Sequence, residues 1–455
     1  MPWSRYRQEY SLNASILSWN HRVWRLAGPI MISNVSVPLL GAVDTAVVGH
    51  LPGPEYIGAV AIGAIIFNLL YWGFGFLRMG TTGLVAQALG ADDGDEMRAI
   101  LGRALGLSSA IGLTLIVFQG PIAEGAFFLA GASDAVDPLA RNYFSVRIWA
   151  APAALANYAL LGWFFGMQNA RYALVLNLVM NGVNIILDFW FVFGLGLGVE
   201  GVAWATVAAQ FAAMFTSLWL ARKVLQKIAG TWRIELLYRA DRIRRMMGIN
   251  RDIFIRNLFI SGSMAVFTAI GARSSDTVLA ANAILLHFQY IMAFWLDGFA
   301  HAAEALVGKE IGARNRARFR QAVLVSTTWA GGVAVATAAV FGILGGTLID
   351  LITDIDEVRV LARNFLPWVV FGPIYSVWSF QLDGIFIGAT HTAEMRNASI
   401  LSALTFLAST AILVPLMGNS GLWTSFFVFM LARTVTLACY YPRIKKSIGS
   451  AADTL

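Results

Sequence analysis

The sequence has few charged residues for its length. Only 13% of its 455 residues are Asp, Glu, Lys or Arg, whereas 58% are hydrophobic and the mean hydropathy is +0.66. A soluble domain carries about 25% charged residues. A chain this long with so little charge lacks the polar residues needed to cover a water-facing surface. The composition therefore predicts an integral membrane protein.

Groups used in catalysis and metal binding are also scarce. The single cysteine, Cys439, excludes an internal disulfide framework and a cysteine-based metal site. The five histidines form no His-Glu-x-x-His motif or other ligand cluster, so no metal site is predicted. A G-x-x-x-x-G-K-[ST] loop for ATP phosphates is absent. We therefore expect no cofactor and no enzymatic activity, and any transport must use an ion gradient or the gradient of the substrate itself.

Twelve apolar runs are long enough to cross a bilayer, which needs about 20 apolar residues per helix. Backbone groups in lipid must be hydrogen-bonded internally, so the runs are predicted to be helices. They lie near 26–48, 57–80, 100–120, 141–163, 172–194, 199–221, 252–272, 279–303, 321–345, 364–388, 397–417 and 421–441. The predicted fold class is an all-α membrane protein with twelve transmembrane helices.

Positive charge is concentrated in alternate loops. The segment 222–251 contains nine Arg and Lys residues, whereas the loops after the first, fifth and eleventh runs contain none. Basic loops remain on the cytoplasmic side of a membrane. Both termini are therefore predicted to be cytoplasmic in the cell inner (plasma) membrane. The net charge of +7 reflects these loops rather than a nucleic-acid partner.

The chain resembles two copies of one unit, displaced by 222 residues. Segment 85–91, after the second run, resembles segment 307–313, after the eighth, and the same displacement pairs 165–166 with 387–388. Chance similarity of Gly- and Ala-rich membrane sequence is the alternative. The repeat predicts an N-terminal six-helix lobe over 1–221, a basic cytoplasmic linker over 222–251 and a C-terminal six-helix lobe over 252–455. Such pseudo-symmetric lobes typically rock around a central cleft.

Two carboxylates stand in otherwise apolar runs, where each costs roughly 2.5–3.5 kcal/mol on insertion scales. Asp44 lies late in the first run and Asp188 in the fifth. Asn181, Asn184 and Asp188 follow helical spacing, so they project from one face, which should point into the helix bundle. The residues predicted to take part in cation coupling are Asp44, Asp188, Asn184, Asn181, Asn157 and Thr206.

The repeat sharpens this prediction, because the positions equivalent to Asp44 and Asp188 are Val266 and Thr410. Polar residues that occur in only one half indicate a cation site, because residues with a purely structural role would be expected in both halves. Two nearby carboxylates repel, so the pair could carry a proton. Amide and hydroxyl oxygens could instead help to coordinate Na⁺. The alternative is that the polar residues only bond neighbouring helices.

Other positions are candidates for a hinge and a gate. Pro29, in the first run, interrupts helical hydrogen bonding and permits a kink, which could respond to protonation of Asp44 or be a static bend. Arg78 is equivalent by the repeat to position 300, one turn from Asp297. We hypothesise that these two residues form an ion pair that closes the cytoplasmic side of the cleft. The alternative is that Arg78 extends toward the interface and Asp297 bonds within its own half.

Aromatic residues are numerous, with 30 Phe, 15 Trp and 12 Tyr. Most should face lipid or the membrane interfaces. Some could line the cleft and hold flat or cationic compounds by stacking and cation–π contact. The possible cleft residues are Met31, Phe67, Trp163, Phe288, Trp295 and Asp383, of which Asp383 has no obvious partner.

Four segments together resemble the MATE (multidrug and toxic compound extrusion) transporters, and within them the DNA-damage-inducible protein F branch. They are residues 43–50, 77–87, 296–300 and 382–389. The resemblance covers nearly the full chain. It implies two six-helix lobes in a V around a cleft, and exchange of H⁺ or Na⁺ for organic, often cationic, compounds.

The resemblance also implies roles for individual residues. Asp44 and Asp188 match the acids of an N-lobe cation site, and Pro29 matches a proline at which the first helix bends. Asn157, Asn184 and Thr206 match neighbouring polar residues. Some relatives place a second cation site on acids of the seventh and tenth helices, but the seventh run here has no acid.

The sequence thus predicts a cation-coupled antiporter, with H⁺ favoured over Na⁺, that exports organic, cationic or amphipathic compounds by alternating access. Its expected partners are small organic substrates and membrane lipid, and a monomer is expected. One alternative is a flippase for lipid intermediates, whose cleft should hold cationic residues to match pyrophosphate. A second is a membrane receptor or scaffold without transport.

Overall fold

A computed structural model describes the backbone of residues 3–449, and the side chains of that range except 3–17, 35, 37–40, 42 and 449. This part of the chain is helical and contains no β-strand. The helices are α1 Trp3–Val48, α2 Pro54–Trp72, α3 Phe76–Gly90, α4 Gly94–Val117, α5 Gln119–Ala130, α6 Asp137–Arg147, α7 Ala151–Gly166, α8 Ala170–Phe189, α9 Gly198–Leu225, α10 Ile234–Leu237, α11 Ala240–Ser274, α12 Asp276–Gly312, α13 Arg316–Ile352, α14 Asp356–Val370, α15 Gly372–Gly388, α16 Thr392–Met417 and α17 Asn419–Gly449.

The twelve predicted spans all lie within these helices or extend a few residues past their ends. Short 3₁₀ turns join α2 to α3 and α6 to α7, so each pair forms one span. Ten spans of the described chain are long and apolar enough to cross a membrane, and the bent pair α14–α15 makes an eleventh. The first predicted span, 26–48, lies in α1. The twelve-helix prediction is confirmed.

The helix ends differ from the predicted ones at three places. The third span ends at Val117, and a further helix, α5, begins at Gln119. The tenth span is not straight, because α14 and α15 meet at an angle of 45°. Pro373 lies in the first turn of α15 there and cannot donate a backbone hydrogen bond to the preceding turn. The fifth span finishes in a π-helical turn over Trp190–Gly194.

Backbone geometry confirms the repeat at a displacement of 222 residues. Within residues 3–449, four residues other than glycine have positive φ, and they form two equivalent pairs, Asp92 (55°) with Arg314 (52°) and Gln168 (57°) with Thr390 (56°). In each pair, the residues follow the ends of equivalent helices and have a left-handed backbone conformation. This conformation is uncommon and unfavourable for residues other than glycine. Its recurrence at one displacement indicates a shared turn rather than chance.

The repeat extends to helix packing. A Cβ added to Gly162 on α7 would lie 2.3 Å from the carbonyl oxygen of Arg78 on α3. The equivalent Gly384 on α15 has the same relation to Ala300 on α12, at 2.2 Å. Only glycine permits backbones to approach this closely. Each copy therefore packs its second span directly against its fourth.

Two compact units divide the described chain. One comprises residues 32–247, and the other comprises residues 1–31 and 248–455. The boundary near 247 lies within the linker predicted over 222–251. The first part of α1 groups with the second unit, a division that the sequence did not indicate. In the first unit α8 and α9 pack side by side, as do α3, α4 and α7, and this packing positions the polar residues described next.

Candidate functional site

The polar side chains of α8 point toward α1 within the unit 32–247. Asn177 Nδ2 donates a hydrogen bond to Ser33 Oγ, and Asn181 Nδ2 donates to the Ser36 carbonyl oxygen at 3.3 Å. Asn181, Asn184 and Asp188 are all buried. The face predicted by helical spacing is therefore directed into the protein, away from lipid.

Asp44, Asn184 and Asp188 meet near the C-terminal end of α8. Asn184 Nδ2 lies 3.1 Å from Asp44 Oδ1 and 3.1 Å from Asp188 Oδ2, and Asn184 Oδ1 accepts a hydrogen bond from the Thr206 backbone N–H at 3.3 Å. This amide orientation is assigned because the opposite one sets oxygen against the carboxylate oxygens. The two carboxyl groups are also within hydrogen-bonding reach of each other. Asp188 is fully buried.

A positively charged side chain, that of Arg147, lies beside the acids together with aromatic residues, and the sequence analysis did not identify it. Arg147, at the end of α6, is within electrostatic range of Asp44 and donates to the Tyr143 hydroxyl. Its guanidinium lies 4.8 Å from the centre of the Phe67 ring. Arg147 falls inside the predicted fourth span, so the signal that marked Asp44, a charge in an apolar run, was available for it too.

The remaining predicted members of the site divide into two groups. Thr206 contacts Asn184 and its hydroxyl donates to the Val202 carbonyl at 3.0 Å. Asn157 instead donates to the backbone and side-chain oxygens of Gln210, both at 2.9 Å. The structure therefore brings Thr206 to the acid pair and joins Asn157 to α9. Among the described hydrogen bonds, none links Asn157 to either carboxylate.

A second buried charged cluster lies in the other unit. Asp383 Oδ2 accepts hydrogen bonds from Arg433 Nη2, at 2.6 Å, and from Arg256 Nη2. All three side chains are about nine-tenths buried. The sequence-based statement that Asp383 has no clear partner was wrong. Arg256 and Arg433 come from α11 and α17, far away in sequence, so only tertiary structure reveals the pairing.

Comparison with known proteins agrees with the repeat. The sequence profile of the MatE family matches residues 29–190 and 253–412, one stretch in each half of the chain. The chain belongs to the MatE family. It is 40% identical over 434 residues to DNA damage-inducible protein F of Escherichia coli strain K12, covering 94% of each chain. It is 27% identical to a probable multidrug resistance protein NorM of Caulobacter vibrioides, over 88% of this chain and 83% of that one.

Solved structures show the same fold. A crystal structure of MATE in complex with MaD3S superposes with a TM-score of 0.82 over 95% of this chain and 97% of that one, at 21% identity. An outward-facing multidrug resistance MATE family transporter gives 0.82 over 94% and 96%, at 22% identity. This MatE protein is therefore a multi-pass membrane protein of a transporter family, similar to multidrug efflux transporters.

The residues predicted to line a substrate cleft occupy varied positions in this MatE chain. Phe67, Trp163 and Phe288 are fully buried. Phe67 stacks on Phe144, Trp163 donates its indole N–H to the Met97 carbonyl at 3.1 Å, and Phe288 packs edge-on against Phe341. These three side chains are packing residues in this conformation, and a ligand-lining role for them stays a prediction.

Met31 and Trp295 differ from those three. Met31 is buried against Gly298 of α12, where the absence of a Cβ makes room for its side chain. Trp295 is 39% exposed and is the one predicted liner with a large accessible surface.

Two further predictions concern motion. Pro29 lies in the unbroken helix α1, two residues before the point where the chain passes from one compact unit to the other. Arg78 and Asp297 belong to different units. The proposed gate between them therefore stays a prediction, as does the hinge at Pro29.

Proposed function

We propose that this chain is a proton-coupled antiporter that exports organic, cationic or amphipathic compounds across the cytoplasmic membrane. The proposal rests on one observation: Asp44 Oδ1 and Asp188 Oδ2 each lie 3.1 Å from the same amide nitrogen, that of Asn184. Asp188 is fully buried and Asp44 partly so, and two carboxylates this close repel when both are ionised. Uptake of one cation relieves the repulsion, which gives the site two states that differ in charge.

The arrangement supports a proton rather than Na⁺. Hard cations such as Na⁺ require several oxygen ligands, by analogy with Ca²⁺ and Mg²⁺ sites. Here the neighbouring amide presents its N–H groups to both carboxylates, and its oxygen is taken by the Thr206 N–H. A proton shared by the carboxyl groups needs no further oxygen. Na⁺ would require the Asn184 amide to turn over.

Charge balance supports one proton per cycle. The ionised pair carries two negative charges, and Arg147 contributes one positive charge nearby. One proton on Asp44 or Asp188 therefore makes the group neutral. A monocationic substrate would compete with that proton for the same net negative charge, which is the basis of antiport.

The second unit is not proposed as a second coupling site. Its buried acid, Asp383, already has two arginine partners, Arg256 and Arg433. A fixed guanidinium occupies the position that a mobile cation would need. Coupling is therefore assigned to the unit 32–247 alone.

The proposed cycle is alternating access. Proton uptake by Asp44 and Asp188 from outside weakens the attraction for a cationic substrate, which leaves. The two halves then rearrange, with α1 as the element shared by both compact units and Pro29 as its hinge. Proton release to the cytoplasm restores the charge that binds the next substrate. Both termini are proposed to be cytoplasmic, the chain to work as a monomer, and no cofactor to take part.

Reconstituted transport tests this proposal. Purified protein in proteoliposomes is given a pH gradient or a Na⁺ gradient separately, and efflux of a fluorescent organic cation is followed. We expect the pH gradient alone to drive efflux, and Asp44→Asn to abolish it. Asp137→Asn, which changes an acid of the same unit that starts α6 and pairs with Arg141, is the matched control. Efflux driven by Na⁺ alone, or wild-type efflux by Asp44→Asn, would refute the proposal.

A flippase for lipid intermediates is the second candidate, and one observation favours it. Arg256 and Arg433 together carry two buried positive charges, which an anionic head group would require. Both donate to Asp383, which balances one of the two charges, and Asp297 is a further acid within electrostatic range of Arg433. Transbilayer movement of a fluorescent pyrophosphate-linked lipid, absent from protein-free vesicles, would decide for this alternative.

A further inference from the structure

A cavity of about 520 Å³ lies in the unit 32–247, at the end where α4 begins and α9 ends. The chain that follows α9 closes one side of it. The volume falls in the range of about 300–1,000 Å³ that small-molecule sites occupy. It is separate from the acid pair, and the proposed transport cycle does not use it.

The cavity wall changes from apolar to polar along both helices. Leu101 and Leu105 lie progressively further into α4, and Leu218 lies one turn deeper in α9 than Arg222. Residues 98 to 105 span about 10 Å of helix at 1.5 Å per residue. Arg222, Thr231 and Trp232 lie at the other end. The cavity is therefore apolar at its inner end and polar at its mouth, as a lipid is apolar in its acyl chains and polar in its head group.

Arg98 holds in place the segment after α9 that covers this cavity. Its guanidinium donates to four backbone carbonyls, those of Gly94 (2.8 Å), Leu225 (2.7 Å), Ile228 (2.9 Å) and Ala229 (3.1 Å). Gly94 begins α4, Leu225 ends α9, and Ile228 and Ala229 lie in the segment that follows α9, so Arg98 joins the start of one helix to the end of the other. The mouth is therefore fixed in place by a buried side chain.

The electrostatics of the mouth favour an anion. No acid is among the lining residues. Asp95, the nearby acid, has one oxygen bonded to the Thr231 N–H at 2.6 Å and the other to Arg233 at 2.8 Å. Arg222 is exposed and has no ion-pair partner among the described residues. One arginine is thus available to a negatively charged group.

We propose that this cavity binds an anionic phospholipid, with the phosphate at Arg222 and the upper acyl chain against the leucines. Basic pockets between membrane helices on the cytoplasmic side are a known setting for anionic head groups. Trp232, 53% exposed at the mouth, is of the type enriched at the head-group level. A soluble phosphate would leave the leucine wall unused, so the occupant is a lipid rather than a free anion.

Lipid retention tests the proposal without measuring transport. The full chain is placed in nanodiscs with equal amounts of phosphatidylglycerol and phosphatidylcholine, and retained lipid is counted by native mass spectrometry. Arg222→Gln removes the proposed phosphate contact, and Arg171→Gln is the matched control, because Arg171 is an exposed arginine outside the cavity. Leu105→Trp fills the apolar depth and serves as a second variant.

We expect the wild-type chain to retain phosphatidylglycerol preferentially. Arg222→Gln should bind it about fivefold more weakly, the effect of one basic residue near anionic lipid. Leu105→Trp should lose the retained lipid while keeping the thermal midpoint of the wild type. Equal loss in Arg171→Gln and Arg222→Gln would indicate only bulk surface lipid and overturn the proposal. Retention of phosphatidylcholine as strong as that of phosphatidylglycerol would overturn it as well.

Discussion

Replacing Asp188 by asparagine separates a functional role from a structural one. The substitution keeps the side-chain shape but removes one of two facing charges from a fully buried site. A carboxylate in a span costs roughly 2.5–3.5 kcal/mol. The hydrogen bond from Asn184 survives but becomes a neutral one, which is weaker by about 1 to 1.5 kcal/mol. We therefore expect Asp188→Asn to stabilise the protein by about 1 to 2 kcal/mol.

The same variant should lose transport. Without the second carboxylate, Asp44 faces Arg147 alone and has no other acid with which to share a proton. The net charge of the site then no longer changes between two states during the cycle. Stability is measured by denaturant titration in detergent, and efflux by the proteoliposome assay under a pH gradient. Asp137→Asn should leave efflux unchanged. Our reasoning would be wrong if Asp188→Asn were destabilised by more than about 1 kcal/mol, or if it still exported the organic cation at the wild-type rate.

Three further predictions test the packing around these sites. Asp383→Asn should destabilise the protein by about 3–5 kcal/mol, since it leaves two buried arginines without their acid, and Arg433→Met in the same chain should restore part of the loss in thermal unfolding. Arg98→Ala should make trypsin cleave the segment after α9 about tenfold faster, because the hydrogen bonds to the Leu225, Ile228 and Ala229 carbonyls are lost, and unchanged cleavage would show that Arg98 does not hold this segment. Gly162→Ala and Gly384→Ala should each cost about 1–3 kcal/mol by overpacking, and a lower thermal midpoint for both checks the equivalence of the crossings.

The acid pair Asp44 and Asp188 shows how far sequence reasoning extends. Helical spacing placed Asn181, Asn184 and Asp188 on one face of a helix. Because a charge is unfavourable in lipid, that face was predicted to point into the protein. Neither argument states which residue of another helix stands opposite. Only the packing of α8 against α1 and α9 shows that Asn184 bridges the acids while Asn157 bonds elsewhere.

The charged cluster of the second unit illustrates the limit more clearly. Asp383 could be identified from sequence as an acid in an apolar run, but Arg256 and Arg433 stand 127 and 50 residues away from it. Ion pairs between distant segments carry no periodic signal. The packing of Phe67, Trp163 and Phe288 was likewise undecidable, because an aromatic residue in a span suits a core, a cleft or lipid equally well.

By itself the sequence determined the twelve helices, the repeat of 222 residues and the isolated acids. These features depend on local hydrophobicity and on internal similarity, since a helix in lipid must satisfy its own backbone. The tertiary structure decided which polar groups meet, where the arginines find their acid and where a cavity opens. Those outcomes depend on contacts between segments far apart in the chain, which are set by side-chain shape and packing rather than by any single segment.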